Sequence, residues 1–435
     1  MATLDQKPLR VALAGLGTVG IGAYKILMQN ASVLEERTGR QIVVTAISAR
    51  NQSKDRGVDL AQCAWEDNPV NLASRDDVDV IIEAMGGEND PAYTLVKTAL
   101  ENKKHVVTAN KALLAYHGVE LAEIAERNNV SLCYEAAVAG GIPIIKMIRE
   151  GLGANRISGL YGIMNGTCNY ILTTMERTGE DFAKVLKDAQ ELGYAEADPT
   201  LDIGGGDSGH KLVLLSALAY GCLPDFKNLS VEGIDHLEAE DIEIAAEFGC
   251  RIKLIGQATK LEDGRVLQMV APSLVPKTSP LAHVDGVLNG IFVQGDFVGS
   301  SFVEGRGAGE GPTASAIIAD VMEIAKGHCA PVFGVPSGKL EKAPTATAQD
   351  WRGEFYVRLV VEDRPGVIAD IAPILRDHTI SIESLIQRGR SEKEPVNIVI
   401  MTHDAKGEDI RAACAGIADL PCVLGKPLLM PVLKI

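Results

Sequence analysis

Apolar runs alternate with segments of helical period over the first 135 residues. The runs Leu9–Leu13, Ile42–Ile47 and Val78–Ala84 contain mainly Val, Ile, Leu and Ala, a pattern typical of strands that are buried on both faces. The same periodicity analysis predicts helices over Val19–Met28, Pro91–Asn102 and Gly118–Asn128, and further strands over Val106–Thr108 and Ser131–Val138. This order predicts an α/β fold with a doubly wound, Rossmann-type parallel sheet in residues 1–135.

The pattern changes after this first domain. It predicts helices over Thr167–Arg177, Asp181–Leu192 and Asp207–Tyr220, and strands over Arg251–Lys260, Arg265–Val270, Val287–Val293 and Phe297–Glu304. Asp263-Gly264 is a typical hairpin tip between two of these strands. A last helix over Thr313–Lys326 is expected to pack back on the first domain. Residues 136–330 are therefore predicted to form an α+β domain.

The C-terminal part divides into a connector and a small domain. Residues 331–350 include a stretch without period that is rich in Pro, Ser, Ala and Lys, which is typical of a linker. Residues 351–435 follow the order βαββαβ, with a turn at Arg364-Pro365-Gly366. That order predicts a ferredoxin-like domain.

A glycine motif follows the first strand and opens the first predicted helix. It consists of Gly15, Leu16, Gly17, Thr18, Val19 and Gly20. Its three glycines allow a tight turn, close approach of a pyrophosphate to the backbone, and packing of helix on strand. The motif in this βαβ context predicts a dinucleotide site.

The residues after the second strand bear on the choice of cofactor. An acidic residue at this tip holds the ribose of NAD, but here Ser48-Ala49-Arg50 follows the strand. Arg50, with Lys54 and Arg56 nearby, favours a 2′-phosphate and hence NADP. NAD remains usable, and a solvated basic loop is the alternative interpretation.

Composition narrows the function further. The 435 residues carry a formal charge of −16, whereas a nucleic-acid binder needs a basic face. No apolar run is long enough for a membrane span, and the N-terminus is expected to be a strand and turn, not a signal peptide. The eight cysteines are scattered without metal-binding or disulfide spacing. We expect a cytoplasmic protein with no nucleic-acid or membrane partner.

Two stretches carry candidate chemistry. Lys111 follows a strand at the edge of the sheet where ligands of doubly wound folds bind. Asp207 and Lys211 are four residues apart on a predicted helix and so share a face, and Glu196 precedes them in a loop. A Glu, an Asp and a Lys in one pocket suit a zwitterionic substrate and a proton transfer. A surface ion pair is the alternative for Asp207 and Lys211.

These residues lie in segments that resemble monofunctional homoserine dehydrogenases with a C-terminal ACT domain. The matching segments are GLGTVG (15–20), VVTANKALLA (106–115), YEAAVAGGIPII (134–145), NGTCNYIL (165–172), GYAEADPTLDIGGGDSGHKL (193–212) and GAGEGPTASA (307–316). The resemblance runs from about residue 8 to the C-terminus. Because no kinase-sized segment precedes residue 8, a fused aspartate kinase is not expected.

The resemblance implies a role for each matching residue. It implies reversible reduction of L-aspartate 4-semialdehyde to L-homoserine, in threonine, methionine and isoleucine biosynthesis. The implied catalytic residues are Lys211, Lys111 and Asp207, and the implied substrate contacts are Gly193, Glu196 and Asp207. The implied cofactor contacts are the motif Gly15, Leu16, Gly17, Thr18, Val19 and Gly20, together with Arg50, Gly86, Lys111 and Gly309.

The resemblance also implies a structural sodium ion, an effector and an oligomer. Sodium ligands align with backbone carbonyls of Glu135, Val138, Gly140 and Ile142. ACT domains usually bind amino acids, and the implied effector here is L-threonine, at a site that includes Asp363, Pro365, Gly366 and Val367. A domain that only assembles subunits is the alternative. The implied homo-oligomer is a dimer or a tetramer.

Two other functions remain open at this stage. One is another NAD(P)-dependent enzyme of amino-acid metabolism, such as an aspartate dehydrogenase, which has no use for the set Glu196, Asp207 and Lys211. The other is a non-catalytic amino-acid sensor, which predicts loss of the pocket lysines, yet Lys111 and Lys211 are both present.

Overall fold

A computed structural model describes residues 7–388 and 394–435. The chain divides into two compact units. Unit 1 comprises the residues up to Ser158, His210–Lys227 and Val293–Ala343, and unit 2 comprises Gly159–Gly209, Asn228–Phe292 and Pro344–Ile435. The domain boundaries expected from the sequence, near 135, 330 and 350, remain predictions.

Helices and strands alternate along most of the chain. In the described residues the α-helices are α1 (Thr18–Gln29), α2 (Ala31–Thr38), α3 (Ala92–Glu101), α4 (Lys111–Arg127), α5 (Ile144–Lys146), α6 (Gly166–Thr178), α7 (Phe182–Glu191), α8 (Thr200–Ile203), α9 (Gly206–Tyr220), α10 (Ala239–Glu247), α11 (Glu310–Ala325), α12 (Val367–Asp377) and α13 (Gly407–Ala418). The strands of the same residues are β1 (Leu9–Ala14), β2 (Ile42–Ser48), β3 (Ala64–Trp65), β4 (Val80–Glu83), β5 (His105–Thr108), β6 (Leu132–Cys133), β7 (Ile157–Ile163), β8 (Ser230–Val231), β9 (Cys250–Lys260), β10 (Val266–Pro276), β11 (Leu288–Gly295), β12 (Gly299–Arg306), β13 (Thr345–Ala346), β14 (Arg352–Gly353), β15 (Phe355–Val361), β16 (Ile382–Gln387), β17 (Val396–Thr402), β18 (Ala405–Lys406) and β19 (Leu428–Pro431).

Unit 1 contains the doubly wound sheet. Its six strands have the order β3-β2-β1-β4-β5-β6, and every adjacent pair is parallel. This is the strand order of dinucleotide-binding folds, in which ligands bind beyond the carboxyl ends of the strands where the order reverses. The α/β fold class predicted from the sequence is confirmed.

Helix α11 packs against α1 within unit 1. A Cβ on Gly22 would lie 2.8 Å from the Glu310 carbonyl oxygen, so glycine is what allows the two helices to approach this closely. Lys25 Nζ lies 2.6 Å from Glu310 Oε1 beside the contact. The buried face of α11, which includes Ile317 and Val321, joins the same apolar core as strand β1.

Unit 2 contains a mixed sheet and the small C-terminal domain. In the mixed sheet β11, β7, β9, β10 and β13 are neighbours in that order, with β8 also paired to β10. The expected hairpin between β9 and β10 is present, since all of β10 pairs antiparallel with β9 and Gly264 at its tip has φ +86°. The C-terminal antiparallel sheet has the order β16-β17-β15-β19, as predicted for a ferredoxin-like domain.

The C-terminal domain shares a buried polar contact with α10. The hydroxyl of Tyr356 and Nε of Arg358 each donate to Asp241 Oδ1 at 2.8 Å, and Asp241 has no exposed surface. Arg358 also pairs with Glu238 at 2.6 Å. Because an unpaired buried charge is costly, this contact ties β15 firmly to α10.

Several elements differ from the sequence-based expectation. The strand predicted over Ser131–Val138 ends at Cys133, because a 3₁₀ turn begins at Glu135, whose backbone N–H donates to Asp320 Oδ2 at 2.8 Å. The sequence also did not predict α2 or α10, and α4 begins seven residues before its predicted start, at Lys111. No helix of the described residues is long and apolar enough to span a membrane.

Candidate functional site

The glycine motif forms the tight turn between β1 and α1. Gly15 has φ +99°, and a Cβ there would lie 2.6 Å from the Ala84 carbonyl oxygen. A Cβ on Gly20 would lie only 1.9 Å from the Gly15 carbonyl oxygen. Gly17 differs, because a Cβ there meets nothing within 4 Å. Packing therefore requires glycine at Gly15 and Gly20, whereas Gly17 leaves open space beside the backbone, as close approach of a phosphate requires.

The first turn of α1 is suited to an anion. Its N-cap residue, Gly17, offers no side-chain hydrogen bond, and the first turn holds no acidic residue. The amide groups at a helix N-terminus lack partners within the helix and carry partial positive charge. Of the other motif residues, Leu16 is buried while Thr18 is exposed.

Two arginines in the basic loop after β2, Arg56 and Arg50, have different surroundings. The Arg56 guanidinium donates to the carbonyl oxygens of Leu16, Lys54 and Asn51 at 3.3, 2.8 and 2.5 Å. Arg56 therefore holds its own loop against the glycine turn. Arg50 is exposed, and no described residue forms a hydrogen bond or an ion pair with it.

A buried carboxylate organises the carboxyl ends of β4 and β5. Glu83 has no exposed surface. Its Oε1 accepts the backbone N–H groups of Met85 and Gly86 at 2.7 and 3.1 Å, and its Oε2 accepts the Thr108 hydroxyl at 2.6 Å. Gly86, a predicted cofactor contact, therefore lies in a turn that this carboxylate holds. The sequence analysis did not assign Glu83 a role; its only signal was an acid at the end of an apolar strand.

The same network reaches the start of α4, where Lys111 lies. The backbone N–H of Asn110 donates to Thr108 Oγ1 at 3.0 Å, so the hydroxyl hydrogen of Thr108 is left for Glu83. Asn110 Oδ1 caps the helix by accepting the Leu113 N–H at 3.1 Å, and its Nδ2 donates to the Gly87 carbonyl at 2.6 Å. Lys111 is thus the first residue of a helix whose start is fixed by side-chain hydrogen bonds.

Unit 1 also contains Lys211 and Gly309. Lys211 is half-buried on α9, next to His210, whose ring stacks on Phe226 with 4.5 Å between centroids. Gly309 is the N-cap of α11 with φ +122°, a backbone conformation that favours glycine.

The predicted substrate residues Gly193, Glu196 and Asp207 lie in unit 2. Gly193 and Glu196 are exposed in the loop between α7 and α8, and Asp207 is buried at the start of α9. Helix α9 passes from unit 2 to unit 1 between Asp207 and Lys211. The pocket that would combine Glu196, Asp207 and Lys211 therefore remains a prediction.

Two residues that the sequence analysis did not single out accompany Asp207. Asn165 Nδ2 donates to Asp202 Oδ1 at 2.7 Å and to Asp207 Oδ2 at 2.9 Å. Asn165 is 5% exposed. Both residues fall in the family-like segments, but no pattern distinguished them from their neighbours.

The predicted sodium ligands lie on one turn of unit 1. Ala139 and Gly140 have φ +53° and +39°. Among the described residues, the carbonyls of Val138 and Gly140 accept no backbone hydrogen bond, whereas those of Glu135 and Ile142 each accept one. The Glu135 carboxylate instead accepts the N–H groups of Ile145 and Lys146. Burial, assisted by the negative charge of Asp320, raises the pKa of Glu135 to about 7.

Side-chain metal sites are a separate matter. In residues 7–388 and 394–435, no group of three or more His, Cys, Asp and Glu side chains is placed to hold a metal ion. The predicted sodium site uses backbone oxygens, which hard alkali cations accept. Because each carbonyl oxygen has two lone pairs, all four predicted ligands retain capacity for a cation.

A cleft of about 670 Å³ opens at the start of α12. The predicted effector residues Asp363, Pro365, Gly366 and Val367 all line it. Gly366 is the N-cap of α12 with φ +96°, and no side chain caps the helix. Glu362 and Gln387 also line the cleft, so carboxylates lie near open amide groups, as recognition of a zwitterion requires.

The glycine turn, the open N-terminus of α1 and the polar groups at the carboxyl ends of β4 and β5 are the features of a dinucleotide-binding protein, which here carries an additional C-terminal domain. Family models agree: residues 15–135 match the homoserine dehydrogenase NAD-binding domain, residues 143–322 match homoserine dehydrogenase, and residues 355–413 match the ACT domain. The chain belongs to the homoserine dehydrogenase family and is an NAD(P)-dependent oxidoreductase.

Full-length relatives support this assignment. Homoserine dehydrogenase of Neisseria gonorrhoeae is 44% identical over 430 residues, covering 98% of each chain. The crystal structure of a homoserine dehydrogenase from Thiobacillus denitrificans has a TM-score of 0.92 at 42% identity and covers 98% of this chain and 99% of that one. A hyperthermophilic archaeal homoserine dehydrogenase in complex with NADPH has a TM-score of 0.62 at 25% identity, and the match covers 73% of this chain and 97% of the archaeal chain.

Proposed function

We propose that the enzyme interconverts L-homoserine and L-aspartate 4-semialdehyde with NADP(H) as its preferred cofactor, in the cytoplasmic synthesis of threonine, methionine and isoleucine. The observation that carries the cofactor preference is Arg50, which is exposed at the end of β2 and forms no hydrogen bond or ion pair with any described residue. A guanidinium pairs well with a phosphate dianion. The archaeal relative in complex with NADPH supports the same choice.

The catalytic residues are proposed from the resemblance and from their chemistry. The nicotinamide cofactor supplies or accepts the hydride. In the reduction, the Lys211 ammonium stabilises the negative charge that develops on the aldehyde oxygen and donates the proton. In the oxidation, the neutral amine of Lys211 accepts the hydroxyl proton. Lys111 is the second pocket lysine, and Glu196 and Asp207 bind the amino-acid part of the substrate.

The catalytic role is tested with Lys211→Ala and Lys211→Arg. We expect Lys211→Ala to lower kcat for homoserine oxidation by about a thousand-fold, within the range of general acid–base catalysis, with NADPH affinity nearly unchanged. NADPH binding by fluorescence and NADP⁺ reduction by absorbance measure the two effects. If NADPH affinity falls as much as kcat, Lys211 serves the cofactor or the fold instead.

The cofactor preference is tested with Arg50→Ala. Loss of a charge-assisted hydrogen bond at an exposed site should raise the KM for NADP⁺ by about ten-fold, while the KM for NAD⁺ stays the same. Arg37→Ala, at an exposed arginine on α2 outside this loop, is the control. Equal changes in both KM values would contradict recognition of the 2′-phosphate by Arg50.

The ACT domain is proposed to bind L-threonine in the cleft at the start of α12. The helix N–H groups suit the effector carboxylate, and Glu362 and Asp363 suit its ammonium group. Point variants are preferable to removal of the domain, because removal would leave Asp241 buried without Tyr356 and Arg358. We expect threonine to lower homoserine oxidation by the parent enzyme but not by Asp363→Asn. Activity that is indifferent to threonine in both would leave the domain with an assembly role.

The turn that contains Val138 and Gly140 is proposed to hold a structural sodium ion through backbone carbonyls. Separately, the subunits are proposed to form a dimer or a tetramer. Sodium is tested by thermal unfolding in NaCl against tetramethylammonium chloride at equal ionic strength. A sodium-specific rise in Tm is expected. Light scattering of the purified protein tests the oligomer.

A further inference from the structure

Asn165 stands between β7 and α6 and begins the helix. Its Oδ1 accepts the backbone N–H of Cys168 at 2.8 Å, so it is the N-cap of α6. This contact also fixes the orientation of the amide. Because Oδ1 must face the Cys168 N–H, the amide nitrogen faces the opposite side, and no flipped assignment satisfies the same contacts.

Both hydrogens of the amide nitrogen are used on carboxylates. One is donated to Asp202 at 2.7 Å and the other to Asp207 at 2.9 Å. Asp202 is also bound at its backbone, where its carbonyl oxygen accepts the Cys168 thiol at 3.2 Å. The start of α6 therefore holds α8 and the start of α9 through one amide and one thiol.

Asp202 and Asp207 are two acidic side chains that share one donor. Negative charges this close disfavour each other's ionisation, and a neutral amide offers two hydrogens without adding a charge. Ionised carboxylates accept such bonds well. The amide therefore fixes the orientation of the carboxyl groups of both Asp202 and Asp207 without adding a charge.

We propose that Asn165 is a positioning residue for the dehydrogenase reaction: its amide holds the carboxyl group of Asp207 in the orientation that the substrate needs. The proposal rests on the proposed role of Asp207 in substrate binding. Asn165 acts through Asp207, and it needs no contact with the substrate itself.

The decisive variant is Asn165→Asp. Asp caps helices about as well as Asn, so the bond to Cys168 is kept, while the donor is replaced by a third carboxylate. At pH 8 we expect the KM for homoserine to rise about ten-fold or more, with NADP⁺ binding unchanged. As the pH falls, the added carboxyl binds a proton and becomes a donor again. The activity of the variant relative to the parent should therefore recover toward acidic pH.

Two further variants separate positioning from stability. Asn165→Ser keeps a capping oxygen but has no group that donates to two carboxylates, so it should raise the KM for homoserine equally at every pH. Asn68→Asp is the matched control, because Asn68 also caps a helical turn, accepting the Val70 N–H at 3.1 Å, but is exposed. It should leave the KM and the pH profile unchanged.

Each outcome bears on the proposal. Parent-like KM values for Asn165→Asp at every pH overturn it, and so does a loss that is independent of pH and matched by a lower Tm. If Asn165→Asp does not fold, the KM of Asn165→Ser decides, and a parent-like value there overturns it. Asp207→Asn tests the proposed role of Asp207 separately from that of Asn165. A parent-like KM for homoserine in that variant overturns both roles. A raised KM in Asp207→Asn beside a parent-like Asn165→Asp overturns the inference alone.

Discussion

Glu83 in unit 1 and Asn165 in unit 2 each hold several chain segments together by hydrogen bonds, but Glu83 accepts these bonds and the amide nitrogen of Asn165 donates them. Glu83 is a buried acidic side chain that accepts three hydrogen bonds, two from the turn after β4 and one from the last residue of β5. Asn165 is a neutral donor that gives both amide hydrogens to carboxylates. In unit 1 an acidic side chain, Glu83, is surrounded by hydrogen-bond donors. In unit 2 a neutral side chain, Asn165, donates to two acidic side chains.

The difference follows from what each region is expected to bind. In unit 1 the start of α1 is expected to present backbone N–H groups to an anionic dinucleotide, and the buried Glu83 fixes the neighbouring turn after β4. The loops of unit 2 are expected to present carboxylates to an ammonium group, and a neutral amide fixes them without neutralising their charge. Polar groups buried in this way are costly when their partners are removed, so the comparison can be tested by substitution.

The largest effect is expected for Glu83→Ala. It leaves the N–H groups of Met85 and Gly86 and the Thr108 hydroxyl without their acceptor, which should lower the free energy of unfolding by about 4 kcal/mol. Urea unfolding measures the loss. Glu126→Ala is the matched control, since the half-buried Glu126 accepts the N–H and hydroxyl of Ser337 and its loss should cost only about 1 kcal/mol. Equal costs would mean that Glu83 contributes no more to stability than the half-buried acceptor Glu126.

The second prediction concerns a buried cation in unit 2. Lys253 donates to Asn169 Oδ1 on α6 at 3.1 Å and to the Val284 carbonyl at 2.6 Å, and burial lowers its pKa to about 8. Between pH 8 and about 10.5 the unfolded chain binds the proton that the folded chain has lost. Stability therefore rises with pH in this window, by up to about 3 kcal/mol.

Lys253→Met tests this sign. The increase in unfolding free energy from pH 7.5 to pH 10 should be smaller in the variant than in the parent, as measured by urea unfolding at both values. Loss of the hydrogen bonds of Lys253 lowers stability at both pH values and cancels in the comparison. The same increase in parent and variant would show that the surroundings of Lys253 do not disfavour its charge.

The smallest effect is expected for Thr108→Val. This change removes the hydroxyl that links Asn110 to Glu83 and should raise the KM for NADP⁺ about five-fold, the equivalent of about 1 kcal/mol. Thr108→Ser keeps the hydroxyl and should keep the parent KM. If both variants raise the KM alike, the methyl group of Thr108, not the hydroxyl, supports the loop.

The periodicity of the chain predicted most of the fold. The near-continuous apolar strands β1, β2 and β4 and the glycine motif were recognisable because their patterns are local. Helices α2 and α10 were not predicted, since their short segments are rich in charged residues and have weak period. The early end of β6 could not be predicted either, because it depends on Asp320, which is distant in sequence.

The candidate site was predictable only where residue type and spacing carry meaning. Lys111 and Lys211 have recognisable positions after a strand and on a helix, whereas Glu83 and Asn165 matter through partners that only folding brings together. Arg56 was misleading in the sequence, since it looks like a second phosphate ligand but donates to two backbone carbonyls of its own loop and to one of the glycine turn.

That use of Arg56 has a consequence for how cofactor choice can evolve. Because Arg56 is used by its loop and the glycine turn, the proposed discrimination between the two nicotinamide dinucleotides depends on Arg50, an exposed side chain with which no described residue forms a hydrogen bond or an ion pair. Exposed positions of this kind change with little loss of stability. Under the proposed role of Arg50, a single substitution at this position is therefore expected to change the preference between NADP and NAD with little change in the free energy of unfolding.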